Sequence, residues 1–233
     1  ITSRSDIGHL GVQLLLSRFH ALSAIIDGMN APVAADAGRA IADIGEGLGY
    51  CGHFLPEKAA NRLLQDLLRQ VPWQQSTIRI FGRGVPEPRL SCWMGEPEAV
   101  YRYSGTVFTP KPWIAPVVSL RRAIEDCSGH RFNSVLLNYY RDGRDAMGWH
   151  SDDEPELGRR PVIASVSLGA ERRFLLREKR KGARSRALTL AHGSLLLMHG
   201  DLQQRFQHAL PRTLKPVDAR INLTFRNILQ ARY

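Results

Sequence analysis

From residue 132 onward, apolar and polar positions alternate in short runs, and turn-forming residues separate one run from the next. On that pattern 132–140, 162–168, 173–176, 186–190, 194–199, 205–209 and 220–228 read as strands, rich in the β-branched and apolar residues that suit a pleated, half-buried surface. Upstream the period lengthens to that of a helix. Leu63, Leu64, Leu67 and Leu68 form one stripe over 56–70, opened by Pro56, and Val118, Leu120, Ala123 and Ile124 form another over 115–128, closed by Gly129. Shorter extended runs at 50–55 and 76–81 flank the first helix, the second of them turning at Gly82-Arg83-Gly84. Between 86 and 112, five prolines break any long periodicity and gather Trp93, Tyr101, Tyr103 and Phe108 into a segment that reads as a lid, beginning near residue 76. Trp93 and Phe108 read as packing residues within it.

A series of short strands after two helices predicts an α+β fold, mainly β: a double-sheet jelly roll with the helices on one side. The folded domain is expected over 46–233, after an extension at 1–45 to which no function is assigned.

Composition narrows the setting. A formal net charge of +10 over 233 residues favours a polyanionic partner, nucleic acid first, through phosphate contacts and counterion release. Cys51, Cys92 and Cys127 are odd in number and far apart, which excludes a disulfide framework or a zinc ribbon and fits a reducing cytoplasm, beside the nucleoid in a bacterium. No apolar run is long enough for a membrane anchor, and a monomer is expected.

Candidate chemistry begins at His150-Ser151-Asp152. On an extended segment residues two apart point the same way, so this imidazole and this carboxylate can converge on one ion without strain. A distant second histidine would complete the two-His-one-carboxylate face that holds Fe(II) and leaves positions open, an oxygenase arrangement. Spacing alone leaves His192, His199 and His208 as rivals for that place. In the last strand Arg220, Asn222, Thr224 and Arg226 share one face, opposite Ile221, Leu223 and Phe225. Inward-facing guanidinium groups need anions, so the pattern predicts a buried carboxylate partner or a small dicarboxylate ligand. Asn138 and Tyr140, alternating on an earlier strand, could also meet carboxylate oxygens. Fe(II), one aspartate, a dianionic 2-oxoglutarate and a buried arginine together come close to balance in charge.

Asn138-Tyr139-Tyr140-Arg141-Asp142-Gly143, Trp149-His150-Ser151-Asp152-Asp153-Glu154-Pro155, Ile163-Ala164-Ser165-Val166-Ser167-Leu168-Gly169, Ala191-His192-Gly193-Ser194-Leu195-Leu196 and Arg220-Ile221-Asn222-Leu223-Thr224-Phe225-Arg226 occur in that order. The ordered set resembles the AlkB family of Fe(II)/2-oxoglutarate dioxygenases, nearest the branch of the mammalian nuclear nucleic-acid demethylases, from about residue 48 to the C-terminus. The resemblance implies a double-stranded β-helix core with a nucleotide-recognition lid at about 76–112. It implies Fe(II) at His150, Asp152 and His208, and 2-oxoglutarate held by Asn138, Tyr140, Arg220 and Arg226, with Asn222 and Thr224 on the same inward face.

The chemistry so implied is oxidative demethylation, with O2 and 2-oxoglutarate as cosubstrates and formaldehyde as a product. The substrates implied are 1-methyladenine and 3-methylcytosine in DNA, with RNA as the alternative. Tyr103, beside Tyr101, matches the family's base-stacking aromatic, and Asp153 and Glu154 match acidic positions facing the base. Arg79-Ile80-Phe81-Gly82-Arg83 resembles the finger of the duplex-preferring mammalian member, with Phe81 as an apolar wedge and the flanking arginines near phosphates, whereas Pro88-Arg89-Leu90-Ser91-Cys92-Trp93 and the run from His150 to Pro155 look more like the member that prefers single strands. The run 172–186, with Lys179, Arg180, Lys181, Arg184 and Arg186, reads as a hairpin gripping the phosphates of one strand. A third reading, a basic nucleic-acid-binding module with a structural metal, leaves the arginine strand without a purpose.

Overall fold

The structure, a computed structural model, describes residues 40–80, 83–103 and 106–229. Its strands, in chain order, are β1 (Ala42–Asp43), β2 (Leu48–Cys51), β3 (Thr77–Ile80), β4 (Arg83–Pro86), β5 (Leu90–Gly95), β6 (Tyr101–Tyr103), β7 (Thr106–Phe108), β8 (Ser134–Tyr140), β9 (Met147–His150), β10 (Ile163–Gly169), β11 (Arg172–Glu178), β12 (Arg186–Leu190), β13 (Ser194–Met198), β14 (Phe206–Leu210) and β15 (Arg220–Arg226). Among the described residues three α-helices accompany them: α1 (Glu57–Gln70), α2 (Ala115–Ser128) and the short α3 (Leu202–Arg205).

A seven-stranded sheet runs β1-β2-β13-β10-β15-β8-β5, and a four-stranded sheet runs β12-β11-β14-β9. Alternation decides what each face of the larger sheet does. Ile221, Leu223 and Phe225 of β15 join Val135 and Leu137 of β8, Ala164, Val166 and Leu168 of β10 and Leu195 and Leu197 of β13 in one buried cluster with Leu67 of α1 and Val117, Leu120 and Ile124 of α2. The opposite face meets the smaller sheet. Ile163, Leu196 and Met198 pack there against Phe174, Leu176, Leu190 and Phe206, which makes the pair of sheets a jelly roll with its long helices on one side.

Sequence logic sets the helix ends. The Val71 N–H bonds to Leu67 O before Pro72, which has no donor to continue α1. α2 stops at Gly129, whose φ of 72° is the left-handed conformation a glycine adopts without penalty. Its buried stripe is Val117, Leu120, Ala123 and Ile124. Val118, expected in that stripe, lies a further 100° round the helix from Val117 and is only partly buried.

Three sequence expectations are corrected by the strand pairing. β5, expected within the lid, is a strand of the larger sheet: Cys92 and Met94 lie opposite Leu137 and Val135 of β8 and are buried. Prolines flank that segment and concealed its alternation. Trp93 on its other face is also buried and donates Nε1–H to Ala99 O at 3.2 Å. Arg83 and Gly84, expected in a turn, are strand residues of β4 opposite Ile80 and Arg79. β9, which carries His150, was not marked as a strand, because Gly148 leaves its outward positions without a pattern. The remaining lid elements are two hairpins, β3-β4 and β6-β7. Among the described residues, no helix is long and apolar enough to cross a membrane.

Candidate active site

The site lies where β9 and β14 meet at the open end of the space between the sheets. His150 and His208 are register partners on those antiparallel strands, which sets their rings 4.2 Å apart, centroid to centroid. Asp152 follows two residues after His150, and the carboxylate joins the two imidazoles with all ligand-type atoms within 4.8 Å of one another. The Nδ1 of His150 lies 2.9 Å from Gly148 O; a carbonyl can only accept, so Nδ1 is the donor, and Nε2 is the nitrogen turned toward Asp152 Oδ1, 4.0 Å away. Phe174 stacks on the His208 ring at 5.2 Å and limits its rotation.

The carboxylate is tightly held. Arg226 Nη2 donates to Asp152 Oδ1 at 2.9 Å, both groups being buried. Burial alone would raise the Asp152 pKa, but Arg226, His208 and His150 outweigh it and hold the carboxyl at about 2. Burial, aided by His150, pushes the His208 imidazole down to about 3. At neutral pH the carboxylate is therefore ionised and the imidazole neutral, the protonation states in which both bind metal. His208 Nδ1 is also buried without a hydrogen-bond partner. The rival histidines are elsewhere: His192 Nδ1 accepts the Gly169 N–H at 2.8 Å, and His199 is exposed.

The triad opens into a small pocket lined by Asn138, Tyr140, Arg220, Asn222, Thr224 and Arg226 together with apolar residues such as Met147 and Leu190. Arg220 is 1% exposed. Its Nη2 donates to Ser167 Oγ at 2.9 Å, whereas Nε and Nη1 are buried with no partner, and burial pushes its pKa down to about 10. A guanidinium so placed is short of an anion, and a carboxylate offers the two parallel acceptors that fit it.

The other residues of this face are more occupied. Asn222 Nδ2 donates to Ser165 Oγ and Val166 O, and its Oδ1 accepts from Thr224 Oγ1 at 3.1 Å. Arg226, expected at the cosubstrate, spends one nitrogen on Asp152. Asn138 Oδ1 accepts from Arg89 Nε at 2.8 Å, and Arg89 in turn pairs with Glu87 at 2.7 Å, a buried ion pair. Arg89, Glu87, Ser167, Phe174 and Gln203 support the site, and the sequence assigns a role to none of them, since most of them reach it through partners distant along the chain.

The residues expected at a nucleic acid are more scattered. Phe81 and Gly82 lie outside the described residues, as do the side chains of Tyr101 and Tyr103, whose backbones form β6. Arg83 is exposed on β4 and is not among the residues lining the pocket. Asp153 pairs with Lys179 at 2.7 Å, and Glu154 precedes the 3-10 turn Pro155–Leu157. Within the basic run, Lys179, Arg180, Lys181, Arg184 and Arg186 are exposed, and Arg180 pairs with Glu178. Arg172 departs from the phosphate-gripping role: it is buried and donates to the carbonyls of Asp142, Asp145 and Pro211, pinning two loops to β11.

The model of the 2OG-Fe(II) oxygenase superfamily matches residues 47–226. The chain belongs to that superfamily. Fe(II) and 2-oxoglutarate are accordingly its cofactors, and the triad and the unsatisfied Arg220 fit them. The chain is 41% identical over 184 residues to the human alpha-ketoglutarate-dependent dioxygenase alkB homolog 3, a match covering 75% of the chain and 64% of the relative. It is 38% identical over 195 residues to the human DNA oxidative demethylase ALKBH2, covering 79% of the chain and 75% of the relative, and 35% identical over 238 residues to the Arabidopsis thaliana protein of the same name. The chain thus spans less than two thirds of the alkB homolog 3 relatives it matches. The solved structure of OsALKBH1 superposes with a TM-score of 0.60 at 17% identity, over 80% of this chain and 99% of that one, and shares the fold.

Proposed function

We propose that this oxygenase removes N-methyl groups oxidatively from alkylated bases in DNA, 1-methyladenine and 3-methylcytosine foremost, and releases formaldehyde. The observation that carries the reading is the junction of two features in one pocket: a His150–Asp152–His208 cluster whose Asp152 and His208 are buried and whose His150 is half-buried, and a buried Arg220 with two unpartnered nitrogens. His150, Asp152 and His208 would hold Fe(II), and Arg220, with Tyr140 and Asn138 on the facing strand, would receive the carboxylates of 2-oxoglutarate. The bound iron with O2 and 2-oxoglutarate supplies the oxidation of the methyl group.

The protein supplies position and exclusion. Phe174, Leu190, Met147 and Leu210 make the wall of the pocket apolar, which keeps bulk water from the reacting centre. Asp153, paired with Lys179, and Glu154 follow the metal ligand directly and would supply carboxylates that accept from an exocyclic amine and favour a cationic lesion. Tyr103 would stack on that base, and Phe81, with Gly82 and Arg83, would hold the duplex open behind it. Bases methylated on the Watson-Crick edge pair poorly and are extruded at lower cost than intact ones. The net charge of +10 supports a nucleic-acid partner through phosphate contacts, bound by a monomer. Names of relatives point the same way: two of them are called DNA oxidative demethylases.

The test is turnover with Fe(II) and 2-oxoglutarate on single-stranded DNA, duplex DNA and RNA carrying either lesion, with formaldehyde and succinate measured together. Equal amounts of both products, dependent on a methylated DNA, are expected. Succinate without any methylated-substrate dependence would refute the reading, and turnover confined to RNA would move the same chemistry to that polymer.

A further inference from the structure

Gln203 lies in α3, just before the strand that carries His208, and is 1% exposed. A primary amide so far from water must have both ends bonded. Its Oε1 accepts the backbone N–H of Asp152 at 3.0 Å, and its Nε2 donates to Met198 Sδ at 3.5 Å. The sulfur cannot donate, so this orientation of the amide is the one that satisfies both neighbours.

The carboxylate of Asp152 depends on a stretch with no ladder of its own. Residues 151–154 follow the end of β9 and belong to no regular element. Besides Lys179 on Asp153 and Arg226 on the Asp152 carboxylate, two bonds tie them to one stretch of chain: Ser151 Oγ–H to Phe206 O at 2.7 Å and Asp152 N–H to Gln203 Oε1. Both terminate on the segment 203–206, two to five residues before His208. The loop with the carboxylate is therefore tied, at Ser151 and at the Asp152 amide itself, to the same piece of chain that sets the second imidazole. Arg226 fixes the far end of the side chain, and Gln203 fixes its backbone.

We propose that Gln203 is a positioning residue for the metal site: it places the Asp152 backbone so that the carboxylate meets the two imidazoles before a metal arrives. The proposal rests on the reading of His150, Asp152 and His208 as ligands. Without Gln203 the loop must be ordered by the metal itself, and that ordering lowers the affinity; loss of such an orienting partner typically weakens metal binding by ~10- to 100-fold.

The experiment is a titration of the metal-free full chain with Mn(II), followed by electron paramagnetic resonance, together with the visible spectrum of the Co(II) form. Gln203→Leu keeps the volume but offers no acceptor, and Mn(II) binding weaker by about 10-fold or more, with an altered Co(II) spectrum, is expected. Gln203→Asn withdraws the carbonyl by one methylene and carries the same expectation should the leucine variant not fold. Mn(II) affinity within about twofold of wild type in either folded variant, with an unchanged Co(II) spectrum, overturns the proposal, because a residue that only fills space does not set metal affinity. Asp152→Ala separates the two levels: if it binds Mn(II) as the wild type does, the ligand assignment fails, whatever Gln203 does.

Discussion

Replacing Arg220 by methionine should separate cofactor binding from stability. In the ligand-free protein the guanidinium is buried with Nε and Nη1 unsatisfied, and each such group costs ~1–3 kcal/mol. Against this stand the bond to Ser167 Oγ at 2.9 Å and the contact with the Tyr140 ring at 5.3 Å. These contribute about 1.5–3 and ~0.5–2 kcal/mol respectively. The terms nearly cancel, so Arg220→Met should leave the melting temperature of the ligand-free protein within a few degrees of wild type, or raise it. With 2-oxoglutarate present the sign reverses. A carboxylate beside Nη1 would add a charge-assisted bond there, and losing about 3 kcal/mol of that interaction weakens binding roughly 150-fold. The assay is thermal denaturation with Mn(II) in place of iron, with and without 2-oxoglutarate; the wild type should be stabilised in proportion to ligand saturation and the variant should not. A variant that melts far lower without ligand, or that keeps the wild-type response to 2-oxoglutarate, would show that Arg220 is a structural residue.

Asp152→Ala should abolish iron-dependent turnover and leave the strand content unchanged by circular dichroism, since it removes the only anionic ligand of the triad; measurable succinate formation would refute that role. Neutralising Lys179, Arg180 and Lys181, all exposed, should weaken DNA binding and flatten its dependence on salt while lesion preference stays the same; an unaltered salt slope would make the run a solvated turn. Phe81→Ala should lose about 10-fold or more activity on duplex DNA, a cost of ~1.4 kcal/mol, and spare single strands; parallel loss on both would mean that the ring is packed into the domain. Acid should unfold the metal-free protein early. His208 is held neutral down to about pH 3 against an ordinary 6.5, so the unfolded chain takes up the proton first and stability falls as the pH drops from 6.5 toward 3. Melting curves of His208→Leu should be flatter over that range; an identical slope would place the acid sensitivity elsewhere.

Much of this architecture was legible in the sequence because its signals are periodic. The split of β15 into Ile221, Leu223 and Phe225 on one side and Arg220, Asn222, Thr224 and Arg226 on the other follows directly from the pleat, and the structure puts the two sets on a helix-covered core and a pocket. The meeting of His150 with Asp152 was readable from their spacing. Which histidine joins them was not, because it depends on how β14 lies against β9, a pairing of segments 58 residues apart, as the difference 208 − 150 shows. Resemblance, not periodicity, singled out His208. The loss of β5 to the lid has a similar cause: Cys92 and Met94 become core residues only through Leu137 and Val135 on β8. Gln203 and Arg89 lay beyond reach for the same reason, as polar side chains whose burial is decided by partners distant along the chain.

The strand Arg220–Arg226 serves the helix-packed core and the pocket with alternate residues, which gives its reading frame a meaning that single substitutions do not test. Deleting one residue between β14 and the start of β15 can be absorbed by the loop 211–219. Deleting one within the strand turns every later side chain over, sending apolar residues toward the cosubstrate and guanidinium groups toward the helices. Deleting two restores the faces and shifts only the register. Natural length variation in proteins built this way should therefore collect in the loop and be absent from the strand, and where the strand does change length it should do so by even numbers.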